Sequence, residues 1–412
     1  TEIYTLSLHD ALPISLQRVL VIGSFLRKDH PLFAQRLRQA ARKGAKVHSL
    51  NAVHDDWLMP VATAMSVAPS GWVQALADIA GAIAAAKNIA APVPAQANPQ
   101  AKNQAQAIAD SLLSGERKAV LLGNAAAHHP QSSALLLLAQ WIGEHSGASV
   151  GYLGESTNSV GAQWVGAVPG PGGLHAGQML TGAPGGPLKA CLLLNVELGL
   201  DAANGAAAMA ALEAAEMVVS LTPFKTSAHD VADVLLPIAP FTETSGTFVN
   251  AEGRVQSFHG VVKPLGETRP AWKVLRVLAN LLELKGFDFE TSEDVRAQAL
   301  GDVSAMGARL SNAHGVKIDR MPPAPAGLER IADVPIYAAD ATVRRAASLQ
   351  LTQDAQAPVA SLPAALWAQL HLSEGAKVLV SRGAAHVVLP ARLDTSLAAN
   401  TVRVPAGHPH TA

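Results

Sequence analysis

One pattern occurs twice in the chain and limits its fold more than any other. The first copy opens with Arg18-Val19-Leu20-Val21-Ile22, a short β-branched run that ends at Gly23. Residues Pro31–Lys43 come next with helical spacing, Leu32, Phe33, Leu37 and Ala40 lying near one face. Asp29 is placed to cap that helix, Pro31 suits its first turn and Gly44 ends it. Ala45–Leu50 is a second strand. The second copy runs through Lys118–Leu122, a helix over Pro130–Glu144 closed by Gly147, and a strand over Ala148–Leu153. Such strand–helix–strand units pair their strands in parallel with a right-handed crossover. The chain is therefore predicted to be α/β, with Rossmann-like parallel sheets flanked by helices.

The 412 residues leave room for more than one domain and a large core. Aromatic residues make up only 4%, and alanine and glycine dominate, which suits close helix–sheet packing. The formal net charge of −1 leaves no basic excess to neutralise phosphates, so nucleic acid is not expected as a partner. A single cysteine, Cys191, excludes a disulfide framework and any all-cysteine iron–sulfur or zinc site built from this chain alone. It lies in the apolar run Ala190–Leu194 and reads as a core residue. No apolar run reaches the length of a membrane span. Nor does the N-terminus show a basic region before an apolar core. Thr1–Ser15 does not match the style of the remaining sequence and reads as a foreign leader. The chain, which lacks an initiator methionine, reads as a fragment.

Several tempting sites fail on spacing. A dinucleotide fingerprint needs three glycines after the first strand. Here Gly23-Ser24-Phe25-Leu26-Arg27-Lys28 offers one, with Phe25 and Leu26 in the way of close backbone approach to a pyrophosphate. Lys28, Asp29 and His30 read as a solvated loop. His128 and His129 are adjacent, point in different directions, and have no carboxylate partner at helical spacing. Ser227-Ala228-His229-Asp230 is too compact for a triad held on separate elements, and no nucleophile elbow accompanies it. Gly154–Pro187 is dense in turn formers, and so long a loop points to function or an inter-subunit contact. No Lys-Ser/Thr comes after its glycines as in a P-loop.

Helices are expected over Gly71–Asn88 and Gln104–Leu113, with Ala90–Asn103 as a linker. Strands are expected at Ala190–Val196 and Met217–Leu221 around a helix at Ala202–Ala215. Asp233–Ser257 then reads as an apolar strand and a hairpin around an Asn250-x-x-Gly253 turn. Gly246 and Gly253 supply backbone that a side chain would resist. Glu243, Asn250 and Arg254 are expected to fix the turn through hydrogen bonds and ion pairing. Trp272, Leu275, Leu278, Ala279 and Leu282 predict a helix over Pro270–Lys285, and Thr291 starts another with acidic residues near its positive end. A proline-rich boundary at Met321–Ala326 precedes a β-rich unit from about Ile336, with strands at Lys377–Ser381, His386–Ala391 and Thr401–Pro405 and a helix at Pro363–Leu370.

The hairpin also carries a resemblance. Glu243-Thr244-x-Gly246-Thr247-Phe248-x-Asn250-x-Glu252-Gly253-Arg254-x-Gln256 resembles the signature turn of the molybdopterin oxidoreductase superfamily. With Val19–Pro31, Glu155–Ala162, Val231–Asp233 and Glu374–Gly407, the chain resembles above all the large iron–sulfur subunit of bacterial NADH-quinone oxidoreductase, respiratory complex I. The resemblance divides the chain into a leader at 1–15, a molybdopterin-oxidoreductase-like α/β region at 16–325, and a β-rich, double-psi-barrel-like domain at 336–412, cut short at its end. It implies that 2Fe-2S and 4Fe-4S clusters are bound by cysteines in an N-terminal region outside this chain. It implies no catalytic, cofactor-binding or metal residues here and a chain that holds no cofactor of its own. The implied role is a non-catalytic assembly body among the NADH-oxidising and iron–sulfur subunits, peripheral on the cytoplasmic face of the inner membrane. The alternative is part of an active molybdopterin-dependent enzyme of the formate dehydrogenase or nitrate reductase type.

Overall fold

A computed structural model of the chain describes residues 12–94, 99–182, 186–225, 230–251, 253–305 and 327–411. Most of the Thr1–Ser15 leader, Ser227-Ala228-His229, Glu252 and the Met321–Ala326 boundary lie outside them.

The repeated pattern builds one five-stranded, all-parallel sheet. Its strands are β1 (Arg18–Ile22), β2 (Lys46–Asn51), β3 (Thr63–Ser66), β4 (Lys118–Leu122) and β5 (Ser149–Tyr152), in the order β3-β2-β1-β4-β5. Both faces are covered, as a parallel sheet requires. Leu20 and Ile22 face a core with Trp72, Leu76, Ile79 and Ile83 of the Trp72–Lys87 helix. Val19 and Val21 face a second core with Leu26 and Leu37. All of these are fully buried, and such a side chain contributes about 1.5–3 kcal/mol on burial. The linker expected at Ala90–Asn103 gives way at Pro99, where a helix starts and runs to Leu113. Proline in the first helical turn costs nothing there, so the Pro- and Gln-rich composition hid a helix start.

A second parallel sheet has the order β6-β7-β8, from β6 (Ala190–Leu194), β7 (Met217–Thr222) and β8 (Val234–Pro237). Asp233 fixes its register, one carboxylate oxygen accepting from the Val218 N–H at 2.7 Å. Cys191 is half-buried here rather than core, and burial pushes its thiol up. The expected hairpin is β9 (Gly246–Val249) paired antiparallel with β10 (Val255–Phe258). The next helix is shorter than expected, Ala271–Leu281, and leaves Leu282 outside it and exposed.

The C-terminal unit is a five-stranded mixed sheet in the order β11-β15-β12-β14-β13. It contains β12 (Ala360–Leu362), β13 (Lys377–Arg382), β14 (Ala385–Leu393) and β15 (Thr401–Arg403), and it recruits β11 (Glu329–Ile331) from upstream of Ile336. Glu329 also reaches the first sheet's helical layer, its carboxylate accepting from the Ser70 N–H and hydroxyl. Among the described residues no helix is long and apolar enough to cross a membrane.

Candidate functional site

Open parallel sheets bind ligands beyond the carboxyl ends of their strands, where the strand order reverses direction. In the first sheet that point lies between β1 and β4. Gly23 turns there with φ +62°, and a Cβ on it would sit 2.6 Å from the Ala126 nitrogen and 2.8 Å from the Trp72 ring. On Gly123 a Cβ would sit 2.3 Å from the Ser24 Cβ. Close approach of the two strand ends thus accounts for both glycines.

Residues Leu26–Asp29 form one helical turn over this edge rather than a solvated loop. Leu26 points into the core and is fully buried, so it does not obstruct the edge as its bulk suggested. Asp29 does not cap the Pro31–Arg42 helix. Its carboxylate accepts from the Ser24 hydroxyl at 2.8 Å, and burial raises its pKa despite that bond. His30 and Asn124 face each other across the switch point, and burial pushes the His30 imidazole down. His30 Nε2, Asn124 Oδ1 and Arg27 Nε are buried and meet no hydrogen-bond partner among the described residues. Spacing could not reveal the His30–Asn124 approach, because Asn124 comes from the other strand–helix–strand unit.

The C-terminal unit lies along the same edge. Lys28 binds both carboxylate oxygens of Asp354 at 2.7 Å. His54 N–H donates to the Ser396 carbonyl and Ala398 N–H to the Ala52 carbonyl, each at 2.8 Å. Asp55 lies 3.6 Å from Arg403, which also grips Asp333 at 3.0 and 2.8 Å. Burial pushes the Asp55 carboxyl up to about 6, against the pull of Arg403. At the end of β6, Arg344 and Arg345 close over Glu197, whose side chain is 4% exposed. Burial would raise the Glu197 carboxyl, but the two guanidinium groups outweigh it and hold it low.

The two adjacent histidines separate as their spacing implied. His128 pairs with Glu155, while His129 stacks on Trp72 and bonds the Pro69 carbonyl. Among the described residues no cluster of three or more His, Cys, Asp or Glu is arranged to hold a metal.

The signature turn is a second feature. Asn250 Oδ1 accepts from the Arg254 N–H at 2.9 Å, and Gly253 turns with φ +77°. Gly246 has a different reason: the Phe258 ring lies over it, 2.6 Å from where a Cβ would stand. Glu243 anchors the next loop by accepting from the Leu265 N–H at 3.0 Å. Asn158, in the long loop after β5, accepts from the Val249 N–H at 2.8 Å. Beneath the turn lies a cavity of about 370 Å³ lined by Asn158, Gly246, Thr247, Trp272, Arg296 and Leu300, among others.

Known proteins share this fold and parts of the sequence. The sequence profile of the family described as molybdopterin oxidoreductase matches residues 16–281. A Staphylococcus aureus protein named "Putative formate dehydrogenase" is 36% identical over 112 residues, 27% of this chain and 11% of that protein. The Bacillus subtilis protein named "Probable oxidoreductase YjgC" is 33% identical over 136 residues, 33% of this chain and 14% of that protein. The chain thus matches only a small part of the length of these curated relatives. The solved acetylene hydratase of Pelobacter acetylenicus shares the fold at 13% identity and a TM-score of 0.68, over 97% of this chain and 72% of its own.

The expectation that this chain holds no cofactor is corrected by these matches, because the family profile implies a molybdopterin cofactor. The structure offers chemistry that fits: His30 Nε2 and Asn124 Oδ1, buried and unmatched at the β1–β4 switch point, suit a polar ring edge. With a profile match over well more than half of its length, the chain belongs to the molybdopterin oxidoreductase family.

Proposed function

We propose that the chain is part of the large peripheral-arm iron–sulfur subunit of a bacterial NADH-quinone oxidoreductase, and that it serves there as an assembly body. The observation that supports this best is the closing of both parallel-sheet edges by ion pairs. Lys28–Asp354 and Asp55–Arg403–Asp333 cover the first sheet's edge, and Glu197 with Arg344 and Arg345 covers the second. Paired, half-buried charges hold a fixed shape, which a body that aligns neighbouring electron carriers needs. In this reading electrons pass from NADH through iron–sulfur clusters to quinone. The protein is then peripheral at the cytoplasmic face of the membrane, in contact with NADH-oxidising and iron–sulfur subunits.

A second reading, an oxidoreductase of the formate dehydrogenase type, is favoured by the named relatives and by the unmatched polar atoms at the β1–β4 switch point. Molybdopterin bound there would supply two-electron redox chemistry. His30 and Asn124 would orient a polar ring edge. Asp29 and Ser24 would hold the turn that carries His30.

Affinity purification of the native protein from membranes tests the choice. The first reading expects co-purification with an NADH-oxidising subunit and NADH-driven quinone reduction that falls when Arg403→Ala loosens the body. Formate oxidation by a preparation without an NADH-oxidising partner would overturn it.

A further inference from the structure

The cavity of about 370 Å³ beneath the signature turn shares no wall residue with the β1–β4 switch point. Strand β9 walls it together with the helix Ser159–Trp164, from the long loop after β5, and the helix Ser292–Leu300. Trp272 completes it from the start of the Ala271–Leu281 helix. The walls are mostly apolar: Ala162, Val165, Val249, Trp272, Val295 and Leu300. Val295 and Ala299 are four residues apart on their helix, as are Arg296 and Leu300, so one side of it brings both aliphatic groups and a guanidinium to the cavity.

The polar groups of the wall are mostly committed elsewhere. Asn158 accepts from the Val249 N–H, the Thr247 hydroxyl bonds that of Ser257, and the Ser292 hydroxyl donates to Glu293. Arg296 is different. It is the one charged residue of the wall among the described residues, and there it forms no ion pair. A guanidinium carries five N–H donors, and one of them goes to the Ser257 hydroxyl at 2.9 Å. Glu293, a turn earlier, lines the neighbouring groove instead. Trp164, 3% exposed, packs with Val249 and Leu300, and its indole N–H is buried with no acceptor among the described residues. This neighbourhood therefore has donors and a cation to spare, and no anion.

We infer that the cavity is a binding site for a small apolar monocarboxylate, whose acyl or aryl body lies against Val249, Trp272 and Leu300 and whose carboxylate lies on Arg296. Pockets that take organic molecules run from about 300 to 1,000 Å³ and pair apolar walls with a few polar groups that orient the ligand. This one is at the small end, which admits one ring or a short acyl chain and excludes a peptide segment. A carboxylate matches the planar fork of a guanidinium with two parallel hydrogen bonds. The site stands under either functional reading, because it uses none of the residues that distinguish them.

Titration calorimetry of the 412-residue protein with hexanoate, hexan-1-ol and acetate separates the apolar body from the charge. Hexanoate is expected to saturate one site with a Kd of about 1 mM, and the alcohol and acetate to bind at least about tenfold more weakly. Arg296→Gln is expected to weaken hexanoate about tenfold and leave hexan-1-ol unchanged, while Arg296→Lys retains part of the affinity. Ala299→Trp, at an exposed wall position, fills the cavity and is expected to abolish binding of both. Circular dichroism melts identify variants that keep the fold. Hexan-1-ol or acetate binding as tightly as hexanoate to the parent protein would overturn the inference, and that comparison needs no variant. So would failure of hexanoate to saturate below about 20 mM, or hexanoate affinity unchanged in a folded Arg296→Gln or Ala299→Trp protein.

Discussion

The Arg403 guanidinium lies 3.6 Å from the Asp55 carboxylate, tying the last strand of the C-terminal sheet to the loop after β2. Arg403 also binds Asp333 through two hydrogen bonds, so one cation holds two carboxylates from different parts of the chain. Removing it leaves two half-buried anions facing each other. Arg403→Ala is expected to cost about 1.5–3 kcal/mol of unfolding free energy, read by urea denaturation at neutral pH. A loss below about 1 kcal/mol, the worth of an exposed pair, would show that the contact is slack.

Asp55 itself makes stability depend on pH. Its carboxyl titrates near 3.8 when unfolded and is pushed up to about 6 by burial in the fold. Its favourable contribution is therefore complete below about pH 4 and is lost as pH rises through 6. Linkage limits that loss to about 3 kcal/mol. Asp55→Asn stays neutral, so its stability should lack this decline between pH 4 and 6. Parallel pH profiles of the two proteins would contradict the assignment.

His48 works in the opposite direction. It is buried on β2, bonded through Nε2 to the Ser111 hydroxyl at 2.8 Å, and burial with nearby Arg18 and Lys46 lowers its pKa to about 4. Its contribution is complete above about pH 6.5 and is lost as pH falls through 4, again by up to about 3 kcal/mol. Thermal scans of His48→Gln, which keeps a hydrogen-bonding group, should show a weaker fall in melting temperature on acidification. A fall as steep as in the parent protein would refute this.

Asn158 links the loop after β5 to the signature turn, and Gly161 makes room for it. A Cβ on Gly161 would stand 2.2 Å from Asn158 Oδ1. Asn158→Ala and Gly161→Ala should both free the Val249 N–H and each cost about 1–3 kcal/mol, without adding when combined. Asn250→Ala, which removes the acceptor of the Arg254 N–H, should cost about 1 kcal/mol more on its own. Full additivity of the first pair in a double-mutant cycle would show that they act separately.

The first sheet's β1 and β4 were legible because each is a short apolar run that stops at a glycine. Thr63–Ser66 was not, since a strand of Thr-Ala-Met-Ser has no such signature. The hairpin was legible from Asn250 and Gly253, whose turn chemistry is local. Contacts that span the sequence were hidden: Lys28 and Asp354 are 326 residues apart, and no spacing rule reaches that far. Leu26 misled for a related reason. Bulk is visible in a sequence, but the direction of a side chain is set by the helical turn that carries it.

The β11–β15 pairing has a consequence in time. Glu329–Ile331 can find its partner only after Thr401–Arg403 has left the ribosome. Until then, the sheet that also supplies Arg403 to Asp55 is unfinished, and the earlier α/β body must wait with its strand ends uncovered. Emergence of that late strand therefore acts as a latch, and nascent chains halted short of Arg403 should be the ones chaperones retain.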